Sequence, residues 1–446
     1  MRSWHRLWVR VRAMFRQMKP QNITALGFLS YIVLGVAALS LPFAHTGDVS
    51  LVDNLFTVTS AVSTTGLATV STGDGYTFFG QLTILLLFQV GALGYMTLSS
   101  FVLLARKSKL PPGREKLMAA QFTLPKEFQI AVFLKQVIVF SLVIETLGAA
   151  ILYVEFRAAG VSDAWWHAVF HSVSAFCTAG FSLNNDSLEA YRGNVAVNVT
   201  IAVLCYCGGL GFIVLVDAWR RVTRKGYRMT ITSRLILLIT AALLIVLTPV
   251  FTAIDPHIAY LPPSERWLAA AFQVMTAGTT AGFNTVPISQ LGASTLFLIT
   301  LLMVVGASPS GTGGGVKTTT VTALFAMCVS TLRGQRVPTL WGSEIPTERL
   351  HVAVSSMSLY VATLLLGIFC VGLTQGDITL GLFFECASAL GTVGLSMGDT
   401  GNLTTGSKLV VIGLMFMGRI GPLTAGYAFV ARRETLQLAQ AQADLA

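Results

Sequence analysis

Apolar residues are gathered along this chain in long blocks, with polar residues confined to the connections. Eight blocks stand at about 23–43, 79–105, 129–153, 195–217, 233–254, 293–328, 351–373 and 408–430. A helix needs about 20 apolar residues to cross a bilayer. The pattern therefore predicts an all-α integral membrane protein with eight spans. The block 293–328 is interrupted from Gly306 to Gly315 by glycine, proline, serine and threonine. Neither half is long enough to cross alone, so the stretch 306–315 is expected as a loop inside the membrane. The first block is of span length and lacks a small-residue cleavage site, which reads as a retained helix and not a secretory signal.

The connections are of two alternating kinds. The N-terminal stretch, 106–127, 218–234, 329–350 and the C-terminal tail together hold 23 of the 30 Lys and Arg residues. The other connections hold Arg157, Arg192, Arg266 and Lys408 but twelve acids. Basic residues mark the cytoplasmic side of a membrane protein. Both termini are thus expected in the cytoplasm, with the chain multi-pass in the cytoplasmic membrane.

The acidic connections share one motif, F-x-x-x-[ST]-A-x-x-T-x-G-[FL]. It begins at Phe56, Phe170, Phe272 and Phe384, without gaps, at intervals of 114, 102 and 112 residues. A fixed internal period governs the fold. The chain divides into a basic N-terminus (1–22), four repeats (23–105, 106–217, 218–328 and 329–430, the last three each led by a linker) and a tail (431–446). Each repeat is helix, short pore helix, T-x-G turn, helix, and the four surround one central pore with pseudo-symmetry. The short helices are expected to start near Asp53, Asp163, Ser264 and Asp377.

A non-helical backbone at membrane depth is tolerated where it lines a water-filled cavity. Four such turns around an axis give a ring of carbonyl oxygens able to replace a cation's hydration shell. Each short helix also turns its partly negative C-terminal end toward that centre. The glycine closing each T-x-G is where a Cβ would be hardest to accept.

These motifs and their order resemble the Trk/Ktr/HKT superfamily of potassium transporters over nearly the whole chain, and most of all the Ktr-type membrane subunit. The resemblance implies potassium uptake through a filter made of Thr64, Thr65 and Gly66, Thr178, Ala179 and Gly180, Thr280, Ala281 and Gly282, and Thr392, Val393 and Gly394. In that family, serine in place of the first filter glycine accompanies sodium permeation, so Gly66 implies potassium. Cys177 and Thr279 stand where relatives often carry Asn and Arg. The glycine-rich stretch is implied to be a gating loop, with Ser308, Ser310, Thr312, Gly313, Gly314, Gly315 and Lys317 as gate residues, joined by Arg419 from the last helix. The implied assembly is a homodimer on a cytosolic ring of Rossmann-type regulatory subunits that bind adenine nucleotides. No cofactor is expected in the chain itself. Potassium is the transported ion, and sodium is open as a coupling or activating ion.

Composition sharpens this picture. With 54% apolar and 11% charged residues, the chain is far from the roughly 25% charged residues of a soluble domain. The net charge of +10 is scattered over short loops without a nucleic-acid-binding module. The six cysteines lie in apolar segments without a C-x-x-C pair and read as core residues. The glycine stretch fails the phosphate-loop pattern because Val316 precedes Lys317. Charges inside the blocks are Lys135, Glu145, Lys317 and Arg419, and intramembrane charges default to functional positions. His167 and His171 have metal-ligand spacing but no evident third ligand. The competing reading is a secondary transporter of another small solute or cation, whose marker would be inverted halves. An enzyme would need clustered acid, base, nucleophile or metal ligands, and none is visible.

Overall fold

The computed structural model describes residues 20–94, 130–335, 337–341 and 343–425. The expectations for the basic N-terminal stretch, the connection 106–127 and the tail 431–446 concern residues outside that description.

Among the described residues the chain is built almost wholly of helices. They are α1 (Pro20–Leu39), α2 (Leu51–Ser63), α3 (Phe78–Leu93), α4 (Ile130–Ala158), α5 (Ala164–Phe176), α6 (Val195–Gly209) and α7 (Phe212–Thr223). There follow α8 (Ile231–Ile254), α9 (Pro263–Thr279), α10 (Ala293–Val304), α11 (Thr318–Leu332), α12 (Thr347–Gln375), α13 (Leu380–Gly391) and α14 (Thr405–Ile420). The one sheet among the described residues is a two-residue antiparallel pair, β1 (Thr339–Leu340) with β2 (Ser343–Glu344), in the connection before α12. Among the described residues three helices are long and apolar enough to cross a membrane, and a fourth crossing is made if the bent pair α6–α7 counts as one.

Packing follows the sequence period. Helices α1, α2 and α3 pack on one another, as do α4, α5 and α6, then α8, α9 and α10, then α12, α13 and α14. The third helix of each group also packs on the short helix of the next: α3 on α5, α6 on α9, α10 on α13, and α14 on α2. The last contact closes the four groups into a ring. The long helices α4, α8 and α12 leave outward faces of large apolar side chains, among them Leu147, Ile245 and Leu366. The interior, by contrast, buries Ser and Thr side chains on the short helices. An apolar exterior of this size suits lipid and not water.

Three expectations about helix limits need correction. The block 195–217 is not one straight helix: α6 ends at Gly209 and α7 leaves at 101°. Helices α3 and α14 end at Leu93 and Ile420, inside the blocks 79–105 and 408–430. Gly94, Gly211 and Gly421 take φ of +77°, +89° and +88° at these points, a region closed to most residues with a Cβ. A shared G-x-x-G signals each break: Gly91–Gly94, Gly208–Gly211 and Gly418–Gly421. The first glycine lets the helix lie against the preceding short helix, since a Cβ there would overlap the carbonyl oxygen of Val62, Phe176 or Leu390. Two of the short helices start at Leu51 and Leu380, near Asp53 and Asp377 as expected, but are capped by other residues. Ser50 and Thr379, not Asp53 and Asp377, accept the first free N–H groups, because a cap must precede the first helical residue by one position.

These contacts predict opposite signs for two glycine substitutions. Gly208→Ala should destabilise the purified protein by about 1–3 kcal/mol, as overpacking does. Gly413→Ala, in the middle of α14 with open space around it, should stabilise by about 0.5–1 kcal/mol through helix propensity. Melting temperatures in detergent check both.

Candidate functional site

Each short helix ends in the same way. Thr64, Thr178, Thr280 and Thr392 take left-handed conformations, with φ of +56°, +49°, +56° and +50°. The threonine N–H donates to the carbonyl of the motif alanine: Ala61 (3.0 Å), Ala175 (3.1 Å), Ala277 (3.3 Å) and Ala389 (3.1 Å). The next N–H donates to the motif [ST] carbonyl: Thr65 to Ser60 (2.8 Å), Ala179 to Ser174 (2.8 Å), Ala281 to Thr276 (2.9 Å), and Val393 to Ser388 (2.9 Å). The spacing [ST]-A-x-x-T-x is thus the spacing of a left-handed helix cap. The hydroxyls of Ser60 and Ser388 then accept the N–H of Gly66 and Gly394, both at 3.0 Å. With the N–H groups turned back onto the helix, the carbonyls of the T-x-G strands are left facing the other way.

Those strands meet. A Cβ on Gly66 would lie 2.5 Å from the Ala179 carbonyl oxygen, and one on Gly180 2.8 Å from that of Ala281. On Gly282 and Gly394 it would overlap the carbonyl oxygens of Val393 and Thr65. The order 66, 180, 282, 394 and back to 66 is a closed circuit of four strands around one axis. All twelve residues of the four T-x-G triplets are thereby brought together.

The stretch between α10 and α11 lies against the threonine side of this ring. Thr64 Oγ1 donates to the Thr312 carbonyl (3.2 Å), and the Thr178 and Thr312 hydroxyls are 2.9 Å apart. A Cβ on Gly313 or Gly314 would overlap the hydroxyl of Thr280 or Thr392. One loop therefore touches all four threonines. Two cations hold it. Arg419 Nη1 donates to the Thr312 carbonyl and to Thr64 Oγ1 (3.0 Å), while Nη2 donates to the carbonyls of Gly91 and Ala92 at the end of α3. Lys317 Nζ donates to the Gly313 carbonyl (2.7 Å). The loop N–H groups of Ala307, Ser308, Gly311 and Thr312 are all spent on carbonyls, so they form no phosphate cradle. Of the expected gate residues, Ser310 turns away from the axis. Its backbone is left-handed (φ +62°), and its carbonyl and hydroxyl accept the N–H groups of Phe212 (3.2 Å) and Ile213 (3.3 Å). Ser308 is buried, with its backbone N–H on the Gly209 carbonyl. Gly315 adopts φ +70° against Gly306, where the loop closes on itself.

On the glycine side of the ring opens a cavity of about 490 Å³, lined by Gly66, Gly180, Gly282 and Gly394 and by Asp186 and Glu189. Burial and the neighbouring Asp186 push the Glu189 carboxyl above its usual value, against a hydrogen bond from Asn284.

Several contributors were missed in the sequence. The residue after the motif phenylalanine is polar in all four copies (Thr57, His171, Gln273, Glu385). His171 Nε2 is 2.9 Å from Ser182 Oγ and its Nδ1 is 2.8 Å from the His167 carbonyl, so both ring nitrogens are engaged within the protein. Glu385 accepts from Ser396 (2.5 Å), Thr400 (2.7 Å) and the Met397 N–H (3.1 Å), fixing the chain beyond Gly394. Glu145 finds its partner in Gln89, whose Nε2 donates to it at 2.9 Å while its Oε1 accepts from Cys177 Sγ at 2.9 Å. A line of hydrogen bonds thus runs from a buried carboxylate to the residue before Thr178. Lys408 pairs with Asp53 at 2.6 Å, joining the last group to the first.

The profile of the TrkH family of cation transport proteins matches residues 12–435. The chain belongs to this family. It is 34% identical over 423 residues to the Ktr system potassium uptake protein B of Bacillus subtilis, covering 93% of this chain and 94% of that one. It is 32% identical over 432 residues to the potassium/sodium uptake protein NtpJ of Enterococcus hirae, covering 94% of each. The crystal structure of the potassium transporter TrkH from Vibrio parahaemolyticus superposes with a TM-score of 0.73 over 92% of this chain and 85% of that one, at 22% identity. The fold is therefore that of a multi-pass membrane family, and the expected superfamily stands.

The Asp53–Lys408 pair yields a pH prediction. Burial alone would raise the Asp53 carboxyl, but hydrogen bonds from Lys408, Ser50 and Thr69 outweigh it and hold it below the usual carboxylate value. A depressed folded pKa contributes stability above the unfolded value of about 3.9 and loses it as pH falls through the folded pKa. Asp53→Asn should cost about 1–2 kcal/mol at pH 7. The gap to the parent should close below about pH 4, read as melting temperature against pH.

Proposed function

We propose that the chain is the ion-conducting subunit of a potassium uptake system of the cytoplasmic membrane. In this reading it has eight spans in four pseudo-symmetric repeats, with both termini cytoplasmic. The observation that carries it is the closed circuit of Gly66, Gly180, Gly282 and Gly394, each lacking a Cβ where the next strand's carbonyl oxygen comes to lie. Such a ring can replace a dehydrated cation's water shell. The relatives, named as potassium and potassium/sodium uptake proteins, supply the ion. No covalent chemistry is involved: the filter selects, and the loop 306–315 opens or closes the way below it.

The loop acts as gate in this reading because it touches all four filter threonines and carries Arg419 and Lys317 on its carbonyls. A fixed positive charge beneath the filter opposes a passing cation. The working unit is a homodimer on a cytosolic Rossmann-type ring that binds adenine nucleotides, with sodium as coupling or activating ion. The test is tracer potassium uptake into proteoliposomes with and without sodium; absence of potassium uptake in well-folded protein would overturn the assignment.

Two variants extend it. Gly66→Ser should lower the potassium-to-sodium uptake ratio by about tenfold, the equivalent of about 1.4 kcal/mol of lost discrimination. Arg419→Ala, or deletion of Ser310 to Gly313, should raise unidirectional potassium flux at equal membrane expression. Lower flux from both would make the loop scaffold.

A further inference from the structure

Helix α7 has no counterpart in the expected repeat, and its two ends meet very different surroundings. Its N-terminus rests on the loop: the N–H groups of Phe212 and Ile213 donate to the carbonyl and hydroxyl of Ser310. Gly211 can take its place there only without a Cβ, which would lie 2.6 Å from the Pro309 carbonyl oxygen. Its far end and the turn that follows carry Arg221, Arg224, Lys225 and Arg228, all exposed.

The depth of α7 follows from lengths. At 1.5 Å per residue, α6 rises about 22 Å and α8 about 36 Å. Measured from a common outer level, the turn at Gly211 falls about 14 Å short of the level from which α8 starts, within a core about 30 Å thick. Helix α7 then leaves at 101° to α6, close to the membrane plane. Asp217, halfway along it, accepts from the N–H (2.8 Å) and hydroxyl (2.9 Å) of Thr230 at the start of α8. That ties the middle of α7 to the start of α8, beside the basic turn 224–228.

Its faces are divided. Phe212, Ile213, Val214 and Val216 are buried in the protein. Trp219 and Val222, three residues apart, are 51% and 83% exposed. Trp219 packs edge-on against Phe140 of α4, with ring centroids 5.8 Å apart. Phe140 is flanked by Val139, Leu142 and Val143, part of the outward apolar face of α4. The exposed apolar side of α7 is therefore continuous with the lipid-facing surface. A helix in the membrane plane with Trp on one side and Arg and Lys beside it is the arrangement that binds an anionic lipid interface.

We propose that α7 is an interfacial helix that seats anionic phospholipid headgroups on Arg221, Arg224, Lys225 and Arg228. Through Ser310 it ties their occupancy to the loop beneath the four threonines. The arrangement present here has the loop drawn against Thr64 and Thr178 while α7 holds Ser310. Lipid that anchors α7 in this position stabilises that closed arrangement. The regulatory half of the proposal rests on the potassium reading; the lipid contact does not.

The experiment has two arms. In the first, Val222→Cys is labelled with a small fluorophore in a chain whose Cys207, Cys328 and Cys370 are serine, and the full protein is placed in bilayers. Nitroxide-bearing phosphatidylglycerol should quench it more than nitroxide-bearing phosphatidylcholine. The preference should vanish when Arg221, Arg224, Lys225 and Arg228 are all Gln, and persist when the three arginines are Lys. Quenching by aqueous iodide and by neither lipid would overturn the proposal and point to a soluble acidic protein as occupant. The second arm is potassium uptake in vesicles of phosphatidylcholine with or without phosphatidylglycerol. The anionic lipid should lower parent flux by about fivefold, one basic side chain's worth of attraction, and leave the Gln variant and Ser310→Ala unaffected. Preferential quenching with lipid-independent flux would overturn the coupling. Absence of uptake in every lipid would overturn the potassium reading while the first arm still reports the contact.

Discussion

A backbone strand that turns its carbonyl oxygens toward a narrow axis must satisfy its N–H groups on the opposite side and leave no room for a Cβ at the closest approach. Much of this molecule answers that constraint. The short helices end in left-handed threonines so that two successive N–H groups fold back onto the Ser/Thr and Ala carbonyls of the last turn. The four glycines interlock with the next strand's carbonyls and fix the distance between neighbours. Two of the residues that follow a motif phenylalanine hold the chain beyond the glycine: His171 through Ser182, and Glu385 through Ser396 and Thr400.

A second constraint follows from the first. Four short helices can converge only if the third helix of each group passes close behind the short helix that precedes it. The glycines at Gly91, Gly208 and Gly418 permit that approach, and the positive-φ glycines three residues later end the helices there. In the third group the same place is taken by the open stretch after Val304. The extra backbone crosses beneath the ring, where its carbonyls meet Arg419. Arg419 is the hub of this region, with donors on Thr64, on Thr312 and on the end of α3. It ties the first and last groups to the loop of the third, so its removal acts on more than one contact.

Much of this was legible in the chain. The periodic motif with its T-x-G, the apolar blocks, the charge alternation and the glycine-rich interruption each rest on local spacing, and local spacing is what a sequence records. The left-handed cap is itself local, which is why [ST]-A-x-x-T-x-G appears four times without a gap. The glycine breaks at 94, 211 and 421 were also written there as G-x-x-G, but masked by continuous apolar runs on either side. Hydropathy sums over a window and does not register a change of direction.

What only the tertiary structure decided were the partners across the repeats. That Glu145 bonds Gln89 and through it Cys177, that Lys408 reaches Asp53 some 355 positions away, and that Ser310 faces α7 and not the axis all depend on which groups become neighbours when the ring closes. Sequence determined the repeating unit because its cap and turn are made within a dozen residues. It left the circuit open because the contacts that close it join residues a hundred or more positions apart, and their geometry is set by packing and not by spacing.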